Sequence, residues 1–507
     1  MASPCDWMDL PQTYMEPLLV RYASNHGFDV RFNTEVVSIQ VESDQKALCT
    51  LRDVTTKHTY QVRSRFLFGA DGARSIVARS FEGFTFNKAP SKGSACNILF
   101  NADLTHLMEN GTRPALLHSI LNPSSRLASL GLGMFPVIRM VRHWNLWMLI
   151  SATLGEDQDG ANPVDKVSKD SPELVDYIKD LIGDHSVEVE VLRLDPWVIR
   201  ETAAEVYSLA AIRGQKKGHN VFILGDAAHR HPPTYGLGSN TCVQDAYNLA
   251  WKAAYVSRGW AGRELLETYS VERQPVGAKV VKESNALLMQ MGMVWHSLGM
   301  LGTSEEDKVV QLAELEAPTP EGAGRRAMLH VALEGMRKEG ESVGFTMNQW
   351  YGRDSTAVYI ADEAGPRPEV EGDPMIKPLI STYPGTRLPH AWLDIPTRRK
   401  EISTQNLAGH GAFCLFTGHG GEGWRAAAAD ISEETGIPIN VYGIGFGLDY
   451  HDVYREWYKR RGVDEDGCVL VRPDRVVAWR SVKMVSDFKD KLQAVLNHVL
   501  SRHSLGE

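Results

Sequence analysis

The sequence has few cysteines, and none of them stands in a pattern that binds metal or forms a redox pair. Six occur among 507 residues: Cys5, Cys49, Cys96, Cys242, Cys414 and Cys468. They form no CxxC and have no histidine at metal-ligand spacing, which argues against a zinc site or a disulfide framework. We therefore expect free, mostly buried thiols, a reducing compartment and no metal.

Long apolar runs and an excess of basic residues are also missing. No run of about 18 apolar residues could span a bilayer, and the amino-terminal MASPCDWMDLPQ has neither the basic nor the apolar segment of a signal peptide. The net charge is −9, whereas a nucleic-acid partner usually requires a basic face. We expect a cytoplasmic protein with no membrane span and no nucleic-acid partner.

One stretch carries a strong pattern, because residues Val221 to Trp251 read VFILGDAAHRHPPTYGLGSNTCVQDAYNLAW. The four apolar residues Val221 to Leu224 predict a strand that is buried on both faces. Gly225 lets the backbone turn at the carboxyl end of this strand, where open α/β sheets bind their ligands. We therefore expect Asp226 to lie at a ligand-binding edge.

The same stretch continues into a glycine-rich loop and a helix. Gly236 and Gly238 allow a ligand to approach the backbone closely, and Ser239 or Asn240 predicts the start of the helix. The amino terminus of a helix stabilises negative charge, which favours an anionic ligand. A Gly-Asp pair alone is more often an ordinary turn, so the prediction depends on the whole pattern.

A second strand and turn occur upstream, where residues 66–79 read FLFGADGARSIVAR. The pattern predicts a buried strand with Asp71 and Gly72 at its carboxyl edge and a helix that starts at Ser75. Arg74 and Arg79 fit either contacts to a cofactor phosphate or solvated charges on that helix.

Together these segments resemble the GD and DG motifs of the group A FAD-dependent aromatic hydroxylases, in the phenol hydroxylase-like branch. In that family the GD aspartate holds the FAD ribityl chain, and the following loop lies against the flavin ring. The resemblance implies FAD as cofactor and NAD(P)H as co-substrate. It assigns FAD binding to Gln12, Asp71, Gly72, Gly225, Asp226, Pro233, Gly236, Gly238, Ser239 and Asn240.

The resemblance also implies an α/β fold. It comprises an incomplete, doubly wound FAD-binding domain with an inserted, mostly antiparallel substrate-domain sheet, and a C-terminal thioredoxin-like domain. That last domain matches the family signature GxxLVRPDxxVAWR at 467–480 and has no CxxC, so we expect it to serve packing or homodimer contact. The expected boundaries are 1–90 and 190–285 for the FAD-binding domain, 91–189 for the substrate sheet, 286–374 for a helical segment and linker, and 375–507 for the thioredoxin-like domain.

The family's opening βαβ unit, with its GxGxxG and ribose-binding acid, is not found ahead of Gln12. We expect that its absence removes a central strand and leaves the two flanking strands with unpaired backbone groups and an open slot. A truncated gene model is the first explanation, ahead of a complementing polypeptide and a degenerate non-enzyme.

The chemistry implied by the resemblance is reduction of FAD by NAD(P)H, reaction with O2 to a C4a-hydroperoxyflavin, and oxygen transfer to a small aromatic substrate. Candidates for activating a phenol are His229, His231 and Tyr235, although a loop histidine is more often structural. Two other functions stay open: a Baeyer–Villiger or epoxidising flavin monooxygenase on the same scaffold, and a non-catalytic fragment.

Overall fold

The computed structural model describes residues 2–502 apart from residues 7, 43, 45, 90–92, 110–114, 124–133, 155–166, 211–218, 303, 353 and 396–400. The α-helices of this part are α1 (Gln12–Asn25), α2 (Ile76–Ser80), α3 (Thr105–Glu109), α4 (Pro172–Ile182), α5 (Gly238–Ser257), α6 (Glu267–Ser297), α7 (Glu305–Glu316), α8 (Pro320–Glu341), α9 (Val343–Met347), α10 (Thr404–Leu407), α11 (Glu422–Thr435), α12 (Glu456–Arg460) and α13 (Phe488–Val499). None of them is long and apolar enough to cross a membrane.

The strands of the described residues are β1 (Thr34–Val41), β2 (Ala47–Asp53), β3 (Thr59–Ser64), β4 (Leu67–Gly69), β5 (Phe86–Lys88), β6 (Gly93–Asn101), β7 (Leu117–Ser119), β8 (Met134–Arg142), β9 (Leu146–Leu154), β10 (Glu190–Ile199), β11 (Thr202–Ala204), β12 (Val221–Ile223), β13 (His229–Arg230), β14 (Trp392–Leu393), β15 (Ile402–Ser403), β16 (Phe413–Thr417), β17 (Ile439–Gly443), β18 (Cys468–Val471) and β19 (Val477–Ser481). Together with the helices they form the mixed α/β fold that the sequence predicts.

The two motif strands, β4 and β12, pair in parallel, with Leu67 opposite Val221 and Gly69 opposite Ile223. Phe222 is fully buried in the core behind them. No open slot lies between β4 and β12, because these two strands bond directly to each other. In the described part of the chain, no strand pairs with the other edge of β4.

The inserted sheet is five-stranded and antiparallel, in the order β10-β6-β9-β8-β7. Helix α4 covers one face, and Trp147 is fully buried in the shared core. The whole of β10 pairs with β6, from Glu190 opposite Asn101 to Ile199 opposite Gly93. The sheet thus extends ten residues beyond the expected boundary at 189/190, because the closing strand has its backbone partners in this sheet.

Helix α6 continues without interruption through the expected boundary at 285/286. Its 31 residues include Pro275, and its carboxyl-terminal half packs against α8. That boundary therefore lies within one rigid element.

The C-terminal sheet has the order β17-β16-β18-β19, in which β16 and β17 are parallel and the other pairs antiparallel. Helices α11 and α13 pack on each other beside it. The β-α-β then β-β-α order of the thioredoxin-like prediction is therefore confirmed. The core of this unit also includes Trp251 and Tyr255 of α5, packed with Phe413.

Candidate active site

The carboxyl ends of β4 and β12 meet at one edge because the strands are parallel. The Leu224 amide donates to the Gly69 carbonyl at 3.1 Å, and the short 3-10 turns that follow the two strands contact each other. Asp71 and Asp226 are both exposed at this edge. The structure therefore brings the two predicted motifs together.

Gly225 has a conformation and surroundings that require glycine. Its φ is +58°, and an added Cβ would lie 2.8 Å from the Cys242 Sγ. Its amide donates to the Asp245 Oδ2 at 3.2 Å. These constraints fix the direction in which the chain leaves β12 and hold the exposed Asp226 at the edge where β4 and β12 end.

Asp71 is already used by its own chain. Its Oδ2 accepts the amides of Ile76 at 2.6 Å and Val77 at 3.3 Å, at the amino terminus of α2. Ser75 accepts the Ala78 amide at 2.9 Å, as its predicted position before a helix requires. The carboxylate of Asp71 therefore caps a helix, while Gly72, with φ +73° and open space around it, leaves the backbone accessible.

The loop between β13 and α5 has two consecutive residues in the left-handed region, Tyr235 at φ +65° and Gly236 at φ +62°. No atom lies within 4 Å of an added Cβ at Gly236, and the nearest to one at Gly238 is the His231 Cε1 at 3.9 Å. The backbone thus presents an open surface that a side chain would fill. A flat ring lying against the loop fits this shape.

Helix α5 starts at Gly238, one residue before the earlier of its two predicted start positions. Ser239, Asn240 and Pro233 are exposed around the open surface. The Asn240 Nδ2 donates to the Gly236 carbonyl at 2.9 Å, which braces the loop. The free amides at the start of a 20-residue helix favour negative charge at this point.

The two loop histidines have different surroundings. His229 is 1% exposed, and its Nε2 lies 2.9 Å from the Asp245 Oδ2, which is the arrangement of a structural residue. His231 is half-buried, and its Nδ1 lies 2.8 Å from the Pro232 carbonyl. Because a carbonyl only accepts, Nδ1 carries the proton and the neutral ring offers Nε2 as an acceptor.

Tyr235 packs against Phe345 of α9, with ring centroids 5.5 Å apart. Burial raises the pKa of Tyr235, and the carboxylates of Glu283, Glu339 and Asp373 raise it further. Its hydroxyl therefore stays protonated at neutral pH and can donate a hydrogen bond, but it is a poor base.

Gln12 is exposed at the start of α1, a helix in which no residue is buried. Its assignment to FAD stays a prediction. The sequence did not assign two further residues, Asp245 and Arg273, to the site. The Asp245 carboxylate accepts hydrogen bonds from the Gly225 amide and the His229 Nε2. The Arg273 Nε donates to the Asp245 Oδ1 at 2.8 Å. The sequence signal that could have found them is a charged residue one helical turn from an apolar residue, as Asp245 is from Leu249 and Arg273 is from Tyr269.

Comparison with known proteins extends these observations to the whole chain. A family profile described as FAD binding domain matches residues 1–284, and one described as aromatic-ring hydroxylase, C-terminal, matches residues 381–502. A 2,4-dichlorophenol 6-monooxygenase of Delftia acidovorans is 35% identical over 504 residues, covering 99% of this chain and 81% of the relative. A phenol 2-monooxygenase of Pseudomonas sp. (strain EST1001) is 36% identical over 501 residues, covering 98% and 76%.

Solved structures agree with the relatives. The flavin-dependent monooxygenase PieE, in complex with FAD and substrate, superposes with a TM-score of 0.87 at 34% identity, covering 99% of this chain and 81% of that one. A ternary complex of aklavinone-11 hydroxylase with FAD and aklavinone gives 0.74 at 28% identity, covering 99% and 80%. The paired motif strands, the inserted sheet and the C-terminal unit thus occur together in flavin enzymes, and this chain belongs to the FAD-dependent aromatic-ring hydroxylases, a family of monooxygenases.

Proposed function

We propose that this monooxygenase hydroxylates a small phenol, with NAD(P)H as reductant and O2 as the oxygen source. The observation that carries the proposal is the open backbone surface at Gly236 and Gly238, beside the start of α5 and next to the exposed Asp226. The choice of a small phenol is supported by relatives that are named for phenol and 2,4-dichlorophenol and are 35–36% identical over 98–99% of this chain.

The proposed residue roles are those that the family resemblance implies, and this geometry supports them. Asp226 would hold the ribityl chain, and the loop and helix start would receive the flavin ring through Pro233, Gly236, Gly238, Ser239 and Asn240. Gly72 is accessible at the neighbouring turn, and Gly225 sets the turn that carries Asp226. Gln12 and Asp71 complete the proposed set, with Asp71 acting mainly through α2.

When bound, FAD supplies hydride acceptance from NAD(P)H and the oxygen transfer to the ring. The chain's own contribution is positioning and electrostatics. The amino terminus of α5 stabilises negative charge on the reduced cofactor. Among the three candidate bases, we favour His231 as proton acceptor, because His229 is engaged by Asp245 and Tyr235 stays protonated.

The test is to titrate the purified chain with FAD and then follow NADH and NADPH oxidation with phenol and with 2,4-dichlorophenol under 18O2. We expect one labelled oxygen on the ring of the phenol. Labelled lactone formed from a cyclic ketone offered as a further substrate, with no label on the phenols, would indicate a Baeyer–Villiger enzyme instead. A chain that binds no FAD, or that transfers no label, would contradict the proposal.

Variants at the ligand edge sharpen this test. Asp226→Ala is expected to weaken FAD binding by about 10- to 100-fold, because one hydrogen bond to a charged group contributes about 1.5–3 kcal/mol. Asp487→Ala, a change before α13 in the C-terminal unit, is the matched control and should bind FAD like the parent chain. Equal affinity in the two variants would remove Asp226 from the site.

We also propose a cytoplasmic location and a homodimer. All six cysteines are free, which suits a reducing compartment. The C-terminal unit exposes Phe446 at 89% and Tyr458 at 54%, which supports a contact between copies. Light scattering of the purified chain would give the mass, and a monomer at all concentrations would exclude the dimer.

A further inference from the structure

A buried carboxylate connects the Gly-Asp turn to the interior. Asp245 has no exposed surface, and its Oδ2 accepts both the Gly225 amide at 3.2 Å and the His229 Nε2 at 2.9 Å. Its other oxygen accepts the Arg273 Nε at 2.8 Å. The buried Asp245 carboxylate thus holds the turn that precedes Asp226. Its negative charge is balanced by Arg273, because a buried charge without a partner is costly.

Arg273, also fully buried, extends the network away from the turn. One terminal nitrogen donates to the Gln349 Oε1 at 2.9 Å and the Tyr351 hydroxyl at 3.1 Å. The other donates to the Gln244 Oε1 at 3.3 Å. Each nitrogen of the guanidinium has a partner, so its position depends on the segment around Tyr351 as well as on α5.

The preceding residue on α6, Glu272, faces the C-terminal unit. Its two carboxylate oxygens accept hydrogen bonds from the two terminal nitrogens of Arg472, at 2.6 and 2.9 Å, which makes a two-pronged pair. Its carboxylate also accepts from Lys252 at 2.7 Å and from Ser355 at 2.6 Å. Arg472 in turn pairs with Asp474 at 2.6 Å, in the turn between β18 and β19.

Tyr351 joins the two clusters. Its hydroxyl oxygen accepts a hydrogen bond from Arg273. Its ring lies under the Arg472 guanidinium, whose Cζ is 5.3 Å from the ring centroid. A continuous path of contacts therefore runs from Arg472 through Tyr351, Arg273 and Asp245 to the Gly225 amide. Such charges need their partners, because an unpaired charge in the interior is costly. Moving one member therefore disturbs the next.

We propose that Arg472 and Tyr351 are positioning residues of the flavin site, through which the C-terminal unit sets the geometry of the Gly225–Asp226 turn. The proposal rests on the proposed function in taking that turn as an FAD contact. It gives the C-terminal unit, which has no CxxC, a role in the chemistry of the flavin site.

Two conservative variants of the full chain test the link without removing a buried charge. Arg472→Lys keeps the charge but loses the two-pronged pair, and Tyr351→Phe keeps the ring but loses the hydroxyl. The matched control is Arg480→Lys, since Arg480 makes a similar two-pronged pair, with Glu363 at 2.8 and 2.6 Å, in the same unit.

The main readout is hydrogen exchange by mass spectrometry on a peptide spanning residues 222–238, in the chain without FAD. We expect exchange at the turn to be at least about fivefold faster in Arg472→Lys and Tyr351→Phe, with exchange across β16 unchanged. Arg480→Lys should match the parent chain. The dissociation constant for FAD should rise about five- to tenfold in the two test variants and stay constant in the control.

Unchanged exchange at the turn in both test variants would overturn the inference, even if the parent chain binds FAD. Equal acceleration in all three variants would also overturn it, because general loosening of the C-terminal unit would then be the cause. A parent chain that does not bind FAD would instead contradict the proposed function. Hydrogen exchange in the chain without FAD would then still show whether Arg472 and Tyr351 set the geometry of the Gly225–Asp226 turn. If Arg472→Lys does not fold, Tyr351→Phe decides alone.

Discussion

Asp71 and Asp226 each lie just beyond the end of one of two paired parallel strands, yet their carboxylates have different surroundings. The sequence predicted that both lie at the ligand edge, because a strand followed by a glycine turn is a local pattern. It did not show that Asp71 accepts the Ile76 and Val77 amides, since that depends on the exact start of a five-residue helix. Of the two carboxylates, we therefore propose only that of Asp226 as a direct ligand contact.

Replacing Asp71 should therefore affect stability more than cofactor binding. We expect Asp71→Ala to lower the free energy of unfolding by about 1 kcal/mol through loss of the cap on α2. Asp71→Asn, which retains an oxygen acceptor, should lose much less. Urea unfolding with parallel FAD titration checks this, and a loss of FAD affinity in Asp71→Ala as large as in Asp226→Ala would contradict it.

Gly225→Ala should be more damaging. The change forces a side chain into φ +58° and places its Cβ 2.8 Å from the Cys242 Sγ, for a cost of about 2–4 kcal/mol. Gly259→Ala is the control, because Gly259 has φ +73° but open space and should lose only about 1 kcal/mol. Thermal unfolding of both variants measures the difference, and similar losses would mean that the contact with Cys242 relaxes.

His231, in the loop between β13 and α5, makes the stability of the fold depend on pH. Burial lowers the pKa of His231 and nearby His229 adds to this, against opposing effects of the Pro232 carbonyl and Asp226. The unfolded chain therefore takes up a proton below about pH 6.5 that the folded chain does not. We expect the free energy of unfolding to fall as the pH is lowered below about 6.5. At higher pH His231 should not change the free energy of unfolding with pH.

The measurement is the urea midpoint at pH 7.5, 6.5 and 5.5 for the parent chain and two variants. His231→Gln should show a shallower decline than the parent. His58→Gln, at an exposed position, should keep the parental decline. A parental slope in His231→Gln would show that other groups cause the acid sensitivity.

At the scale of elements, sequence patterns predicted β4, β12, α5 and the C-terminal order because each has a local period and turn residues. They did not predict that α6 passes through the boundary at 285/286, since Pro275 and mixed polarity hide a long helix. Nor could they pair Glu272 with Arg472, because 200 residues of chain separate the two and no local rule acts over that distance.

Helix α5 contributes buried side chains to the cores of both the FAD-binding unit and the C-terminal unit. A substitution of Trp251 tests this. Trp251 is 6% exposed and meets the Phe413 ring edge-on at 6.1 Å. We expect Trp251→Ala to cost about 3–5 kcal/mol of unfolding free energy, as a large buried truncation does. Tyr247→Phe on the same helix removes only a bond to the Gly409 carbonyl and should cost about 1 kcal/mol. Equal losses would contradict the shared core.

At the scale of the whole molecule, the FAD-binding helices and the C-terminal sheet should unfold together. Their core is continuous through Trp251 and Tyr255, and buried pairs such as Glu272–Arg472 would be broken if either opened alone. We expect tryptophan fluorescence and far-UV circular dichroism to give coincident urea transitions for these parts. A separate early transition reporting on Trp424 and Trp479 would contradict this.

The pairing of Ile199 with Gly93 has a consequence for how such enzymes diversify. The inserted sheet leaves and rejoins the FAD-binding unit on adjacent strands, so its two ends are already side by side. Insertion of a module with neighbouring ends disturbs its host little. We therefore expect a chimera that takes this sheet from a relative, with junctions at Gly93 and Ile199, to fold with the edge formed by β4 and β12 unchanged.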